Sequence, residues 1–360
     1  MDNLGLSIII AICSIVVIIV LLIVFLLIPR GFQNVGRKSL ESKLLNHVIV
    51  TGGSSGIGLC VAEELVKRKC KTVTLLARNQ DKMTAAKNKL VTLANTIGNT
   101  ETVIETYSVD ITDVDATKKA AQEICSNTSA PDIIFNIAGL AKAATFLDTD
   151  PKEFERVMQC NFHGTVNVTH SFLPFMLLDN NKNDKTAKAP RTIVFTSSGA
   201  GQLGIYGYTA YSASKFALRG LAEALQMETL RENIFIQIVN PPDVDTPGYR
   251  DERIGMPEET NVICATAGLF KPEDVARKMV SSAIQRRPKF NVYFGLEGWM
   301  LASLTAGMSP VHSIIDALCQ IFLMGLFRFI SLFYLMDFRR IVVKVGNRKE
   351  NEVGKDKKSD

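Results

Sequence analysis

The stretch His47-Val-Ile-Val-Thr51 runs directly into Gly52-Gly-Ser54-Ser55-Gly56-Ile57-Gly58 and then into a helix-like segment. A short β-branched run reads as a buried strand, and the glycines after it mark a tight turn. Gly52 permits the turn, Gly56 lets backbone approach a pyrophosphate, and Gly58 lets a helix pack close to the strand. The helix start offers unpaired N–H groups and the positive end of its dipole, which suits an anion. Ser54, Ser55 and Ile57 share the loop and join the three glycines as candidate cofactor-binding residues. A glycine cluster alone says little. One that follows a strand, opens a helix and forms the first βα junction predicts a dinucleotide-binding α/β fold.

Outward from this loop, short apolar runs alternate with amphipathic stretches as far as Arg287. The runs are His47–Thr51, Thr72–Ala77, Val103–Val109, Ile133–Asn136, Thr192–Thr196 and Phe235–Val239. Six such strands separated by helices predict a Rossmann-type, doubly wound parallel sheet covered on both faces, within a domain spanning 46–290. The Asn- and Lys-rich stretch Asp179–Pro190 reads as a surface loop.

The second strand bears on the cofactor. A 2′-hydroxyl is commonly held by an acid at the end of that strand. Here it ends Leu75-Leu76-Ala77-Arg78-Asn79, with no acid at the tip and Lys82 one turn on. Arg78 suits a forked contact with a 2′-phosphate and Lys82 adds charge, which favours NADPH over NADH.

Tyr211-Ser-Ala-Ser-Lys215 spaces a phenol and an amine at i, i+4, on one helix face. A nearby ammonium favours phenolate, so the spacing predicts a lowered tyrosine pKa and a better proton donor. Ser198 stands thirteen residues earlier, in the turn after the run Thr192–Thr196.

With these motifs in hand, the sequence resembles the short-chain dehydrogenase/reductase family. The resemblance covers Asn46 to Arg287. It rests on Thr51–Gly58, Asp110, Asn136-Ile-Ala-Gly139, Asn161, Ser197-Ser198, Tyr211-Ser-Ala-Ser-Lys215 and Pro241-Pro-Asp-Val-Asp-Thr246. It implies that Ser198 polarises a carbonyl, Tyr211 delivers the proton, Lys215 holds the nicotinamide ribose and Asn161 holds a relay water. It further implies that Asp110 contacts adenine, that Asn136 belongs to the cofactor site, and that Val244 and Thr246 lie by the carboxamide. Two departures stand out. Ile137 takes the place of the usual second asparagine, and Pro241-Pro242 replaces the usual proline-glycine, stiffening the loop that carries Val244 and Thr246. Phe195–Glu228, Asn240–Tyr249, Gly298–Pro310 and Met324–Arg328 resemble those members that reduce the keto group of a long-chain sphingoid base at the cytosolic face of the endoplasmic reticulum. A retinoid or steroid ketone is the rival substrate, for which Gly248–Phe270, read as a substrate lid, would decide. A non-catalytic NADPH-binding scaffold is the rival of another class.

The remainder of the chain points to a membrane. Leu6–Ile28 is a charge-free apolar run of 23 residues, about 34 Å as a helix and enough to cross a hydrocarbon core of about 30 Å. It predicts an N-terminal transmembrane anchor within residues 1–30. Asp2 precedes it, and Arg30, Arg37, Lys38 and Lys43 follow, which places the rest of the chain in the cytosol. Residues 299–338 form a second apolar, membrane-associated region. Asp316, Gln320 and Arg328 interrupt its best window, so a span, a hairpin and an interfacial helix are all open. Residues 339–360 read as a basic, solvated cytosolic tail that ends in the dilysine-like Lys357-Lys358. The net charge of +5 is too small and dispersed for a nucleic-acid partner. Seven scattered cysteines without a C-x-x-C pair argue against a disulfide framework or a zinc cluster. The expected partners are a long-chain sphingoid base and membrane lipid, and the sequence does not decide whether copies form a homo-oligomer.

Overall fold

The computed structural model describes residues 45–180 and 190–356. The expected anchor at Leu6–Ile28, most of the loop Asp179–Pro190 and the Lys357-Lys358 signal lie outside them. Within the described residues the chain builds a seven-stranded parallel sheet of order β3-β2-β1-β4-β5-β6-β7. Its strands are β1 (His47–Thr51), β2 (Thr72–Ala77), β3 (Val103–Ser108), β4 (Ile133–Asn136), β5 (Arg191–Thr196), β6 (Ile234–Asn240) and β7 (Asn291–Tyr293). The strand order reverses between β1 and β4. A doubly wound sheet opens its binding crevice at such a point, beyond the carboxyl ends of the strands.

The sequence reading named six of these strands. It missed β7, three residues long with only Val292 buried, a run too short to carry a period-2 signal. β7 is added at the sheet edge in register with Ile238, Val239 and Asn240 of β6.

Every residue of β1 is buried, as expected of a central parallel strand with both faces covered. Alternate side chains feed two cores. Val48 and Val50 meet Val61 and Leu65 of α1 (Gly56–Lys67), Met83 and Leu90 of α2 (Gln80–Thr96), and Val275 and Met279 of α9 (Pro272–Ala283). Ile49 faces the other way, toward Ile124 of α3 (Val114–Asn127), Phe172 of α5 (Gly164–Asn180) and Ala222 of α6 (Thr209–Thr229). Between α3 and α5 runs α4 (Pro151–Met158), which passes into α5 through a π-helical turn at Gln159–His163. Such turns insert a residue into a helix and recur at functional sites.

After β6 the chain forms α7 (Pro247–Glu252) and α8 (Glu258–Ala265), and the backbone pairing of Val244 with Phe270 closes the base of this excursion. β7 leads to α10 (Gly295–Leu304) and then to α11, a 43-residue helix over Ile314–Asp356. From Ile314 to Glu352 this helix is long and apolar enough to cross a membrane. The apolar region is thus divided: its first residues belong to α10, and from Ile314 onward it runs into the basic tail as one continuous helix. Ile321, Phe322, Phe329 and Phe333 are exposed along it. It also packs on the rest of the fold along its length: Trp299 of α10 meets Phe327 edge-on at 5.0 Å, Tyr334 donates to Glu297 of α10 at 3.0 Å, and Lys349 pairs with buried Glu259 of α8 at 2.9 Å.

Candidate active site

The glycine loop takes the conformation its sequence implies. Gly56 has φ +52°, a region that L side chains avoid. A Cβ on Gly58 would stand 2.3 Å from the Gly52 carbonyl oxygen, so only glycine lets the helix start against the turn. Ser55 begins α1 without a side-chain cap, and no acid lies in the first turn. The first N–H donors therefore face outward beside a positive dipole end. Thr51 ties this loop to the next crossover, its hydroxyl accepting from Ile137 N at 2.9 Å and Ala138 N at 3.0 Å. Ile137 thus contributes backbone where the family's asparagine would stand.

Tyr211 and Lys215 lie on α6, one turn apart. The Lys215 ammonium donates to the Thr196 carbonyl at 2.8 Å and sits 5.6 Å from the Tyr211 ring centre. Burial pulls Lys215 down to about 8, against the carboxylate of Glu252 and the Cys160 thiol, which work to raise it. Ser198, at the start of the turn Gly199–Gly201, accepts from Ala200 N at 3.1 Å and hydrogen-bonds the Tyr211 phenol. The expected lowering of the tyrosine pKa by Lys215 is not what governs here. Desolvation at the cavity wall pushes the phenol upward, the Glu252 charge adds to it, and the Ser198 hydrogen bond only partly offsets them. The lysine's strongest tie is to backbone, and its influence on the phenol is correspondingly small.

Asn161 is buried on the π-helical turn. Its oxygen accepts from Leu140 N at 2.8 Å, and its amide donates to Leu140 O and Ser214 Oγ, each at 2.9 Å. Gly139 makes room for this arrangement, since a Cβ there would stand 2.9 Å from Asn161 Oδ1 and 3.4 Å from Lys215 Nζ.

One cavity of about 1260 Å³ joins these parts. It includes Gly52, Ser55, Gly56, Ile57 and Gly58 at one end and Ser198, Tyr211 and Lys215 in the middle. It continues past Leu301 of α10 to Tyr334 and Leu335 of α11. Val244 and Thr246 also line it, despite the stiff Pro241-Pro242. Val244 is largely buried in the core, and the Thr246 methyl would lie 3.2 Å from a Cβ on Gly56. Ser54 and Asn136 are not among the residues that line it. Arg78, Lys82, Asp110 and Asn161 do not line it either: Lys82 is exposed on α2, and Arg78 pairs with Asp110 at 3.7 Å, both side chains open to solvent. Burial tends to raise the Asp110 carboxyl, but hydrogen bonds from Thr112 and the Arg78 charge outweigh it and hold it below the usual range.

The residues present fit a dinucleotide. Asn136 Oδ1, Thr196 Oγ1 and Asn240 Oδ1 are buried without a protein partner, and each belongs to the last residue of its strand. Unsatisfied polar groups of this kind are costly unless a ligand or water completes them. They are gathered at the carboxyl edge of β4, β5 and β6, beside the glycine cradle.

The family description "short chain dehydrogenase" matches residues 46–255. The chain belongs to the short chain dehydrogenase family. This dehydrogenase is 43% identical over 297 residues to 3-ketodihydrosphingosine reductase of Bos taurus, covering 82% of this chain and 85% of that one. It is 42% identical over 316 residues to 3-dehydrosphinganine reductase of Danio rerio, covering 87% and 90%. Among solved structures, its fold is similar to a short-chain dehydrogenase from Streptomyces avermitilis, with TM-score 0.58 and 24% identity over 72% of this chain and 91% of that one. It is also similar to an alcohol dehydrogenase from Thermococcus sibiricus complexed with 5-hydroxy-NADP, with TM-score 0.54 and 19% identity over 66% and 89%. The two solved structures share its fold, and the family match with the reductase relatives makes the chain an oxidoreductase.

Two features of the site carry no signal in the sequence. The π-helical turn that aims Asn161 is a backbone insertion with no residue signature. Glu252 and Tyr208, which stand against Tyr211, are 44 positions apart in the chain and meet only in the fold.

Proposed function

We propose that this chain is an NADPH-dependent reductase that converts the ketone of 3-ketodihydrosphingosine to the alcohol of dihydrosphingosine. The observation that carries this reading is the identity of 42–43% to reductases of that name over more than four-fifths of the chain. The agreement extends beyond the family's shared fold into the C-terminal region. The site supports the chemistry. Tyr211 holds a proton that its surroundings keep on the phenol, Ser198 would offer a hydroxyl to the same carbonyl oxygen, and Lys215, one turn along α6, would hold the cofactor ribose. Asn161 bridges Leu140 and Ser214 and would support a proton-relay water. The glycine cradle, with Asn136 and Thr246, would hold the dinucleotide, which when bound supplies the hydride. Asp110 would face the adenine. Arg78 and Lys82 would favour the 2′-phosphate, since the Arg78–Asp110 pair is exposed and worth little to break.

The cavity supports a lipid substrate. It continues from Tyr211 to the apolar residues of α10 and α11, so a long chain would lie toward the membrane while its ketone reaches the phenol. The ties of α11 to Glu297 and Glu259 favour a helix lying on the bilayer surface, since a span would carry one end away from the domain. The charges that follow the expected anchor at Leu6–Ile28 support a domain on the cytosolic face of the endoplasmic reticulum. Purified protein given NADPH with 3-ketodihydrosphingosine, a retinal or a steroid ketone tests the reading. The sphingoid ketone should be reduced with the highest kcat/KM, and a preference for either rival would overturn it.

A further inference from the structure

Tyr208 opens α6 three residues before Tyr211, and the two rings lie 5.3 Å apart at 55°. The Tyr208 hydroxyl donates to Oε1 of Glu252, the last residue of α7. Glu252 is half-buried in the wall of the cavity that holds Tyr211 and Lys215. Its neighbour Asp245 pairs with Arg250 at 2.9 Å, whereas no ion pair among the described residues engages Glu252. The groups that face it are accounted for. Asp243 accepts from the Tyr249 hydroxyl at 3.1 Å and feels the charge of Arg253, while Lys215 donates a hydrogen bond to the Thr196 carbonyl. Burial and Asp243 together push Glu252 up to about 7, against the hydrogen bond from Tyr208 and the weaker pull of Lys215.

The placement is unfavourable for catalysis by itself. A negative charge beside Tyr211 raises the phenol's pKa and makes it a poorer proton donor. A cation placed over Glu252 would cancel that effect and hold the carboxyl in its charged form. The proposed substrate carries one: it is a 2-amino-3-ketone, with its ammonium on the carbon next to the carbonyl that Tyr211 would protonate. We infer that Glu252, steadied by Tyr208, receives this ammonium and selects amino ketones over plain ketones. This assignment rests on the substrate reading above. It makes Glu252 a specificity-determining residue with two consequences: it orients the head group, and it prepares Tyr211 only when the correct head group is present.

The test compares wild type and Glu252→Gln on 3-ketodihydrosphingosine and on the chain-matched hydroxy ketone without the amine. Glutamine keeps the size and the acceptor for Tyr208. The variant should lose roughly 10- to 100-fold in kcat/KM on the amino ketone, while the amine-free ketone shows no loss, because the charge that burdens Tyr211 is gone. Equal losses on both substrates, or on neither, would overturn the assignment while leaving the substrate reading intact. Failure of wild type to reduce 3-ketodihydrosphingosine would instead remove the reading and the assignment together. Should the variant not fold, wild type alone decides: N-acetylating the substrate amine should cost at least about tenfold in kcat/KM, and no loss would overturn the proposal.

Discussion

At Tyr211, burial and the Glu252 carboxylate both disfavour phenolate, so the side chain keeps its proton beside Ser198 but gives it up less readily while that charge stands unneutralised. Tyr211→Phe keeps the ring and removes the proton. Turnover should fall by at least about 10²-fold while NADPH binding, read by cofactor fluorescence, persists. Near-normal turnover would contradict the acid role. Cofactor choice is a second matter of single residues. Replacing Ala77 by Asp and Arg78 by Leu puts a carboxylate at the tip of β2 and removes the guanidinium. Steady-state kinetics should show NADPH weakened at least about tenfold more than NADH, and an unchanged preference would show that Arg78 does not read the phosphate. Most of these residues were legible in the sequence, because the i, i+4 spacing and the strand–glycine–helix order are local patterns. The direction of the Tyr211 shift was not, because it depends on burial and on Glu252, which only the fold brings near.

Among the elements, the π-helical turn Gln159–His163 shows how one inserted residue builds part of a site. It turns Asn161 inward, where one amide satisfies both the N–H and the C=O of Leu140 and also reaches Ser214. Asn161→Ala would leave those buried groups unpaired. Unfolding in detergent should reveal a loss of about 1–3 kcal/mol, accompanied by a drop in turnover. A variant of unchanged stability and activity would show that water replaces the amide without penalty. The sheet itself was readable in advance because its central strands are continuous β-branched runs between amphipathic helices. β7 was not, since a three-residue edge strand carries no pattern and is recruited by pairing with β6. The Val244–Phe270 closure of the α7–α8 excursion was hidden for the same reason.

For the whole molecule, the question is how a soluble-type fold meets a lipid. α11 is 43 residues long, about 65 Å, and it packs on the rest of the fold at Phe327, Tyr334 and Lys349. The sequence left a span, a hairpin and a surface helix open, because hydropathy reports length and composition and not the side chains that tie a helix down. If the helix lies on the cytosolic surface, protease added to sealed microsomes should cut both the catalytic domain and the tail. Asn127 of the triplet Asn127-Thr-Ser, exposed at the end of α3, should carry no glycan. A protected tail would indicate that α11 crosses the bilayer, and a glycosylated Asn127 would put the domain in the lumen. The central claim concerns what the cavity receives, and one measurement addresses it: purified enzyme in lipid vesicles, supplied with NADPH and 3-ketodihydrosphingosine, with both products quantified. The account predicts one dihydrosphingosine formed for each NADPH oxidised, whereas NADPH oxidation without dihydrosphingosine, or no oxidation at all, would contradict it.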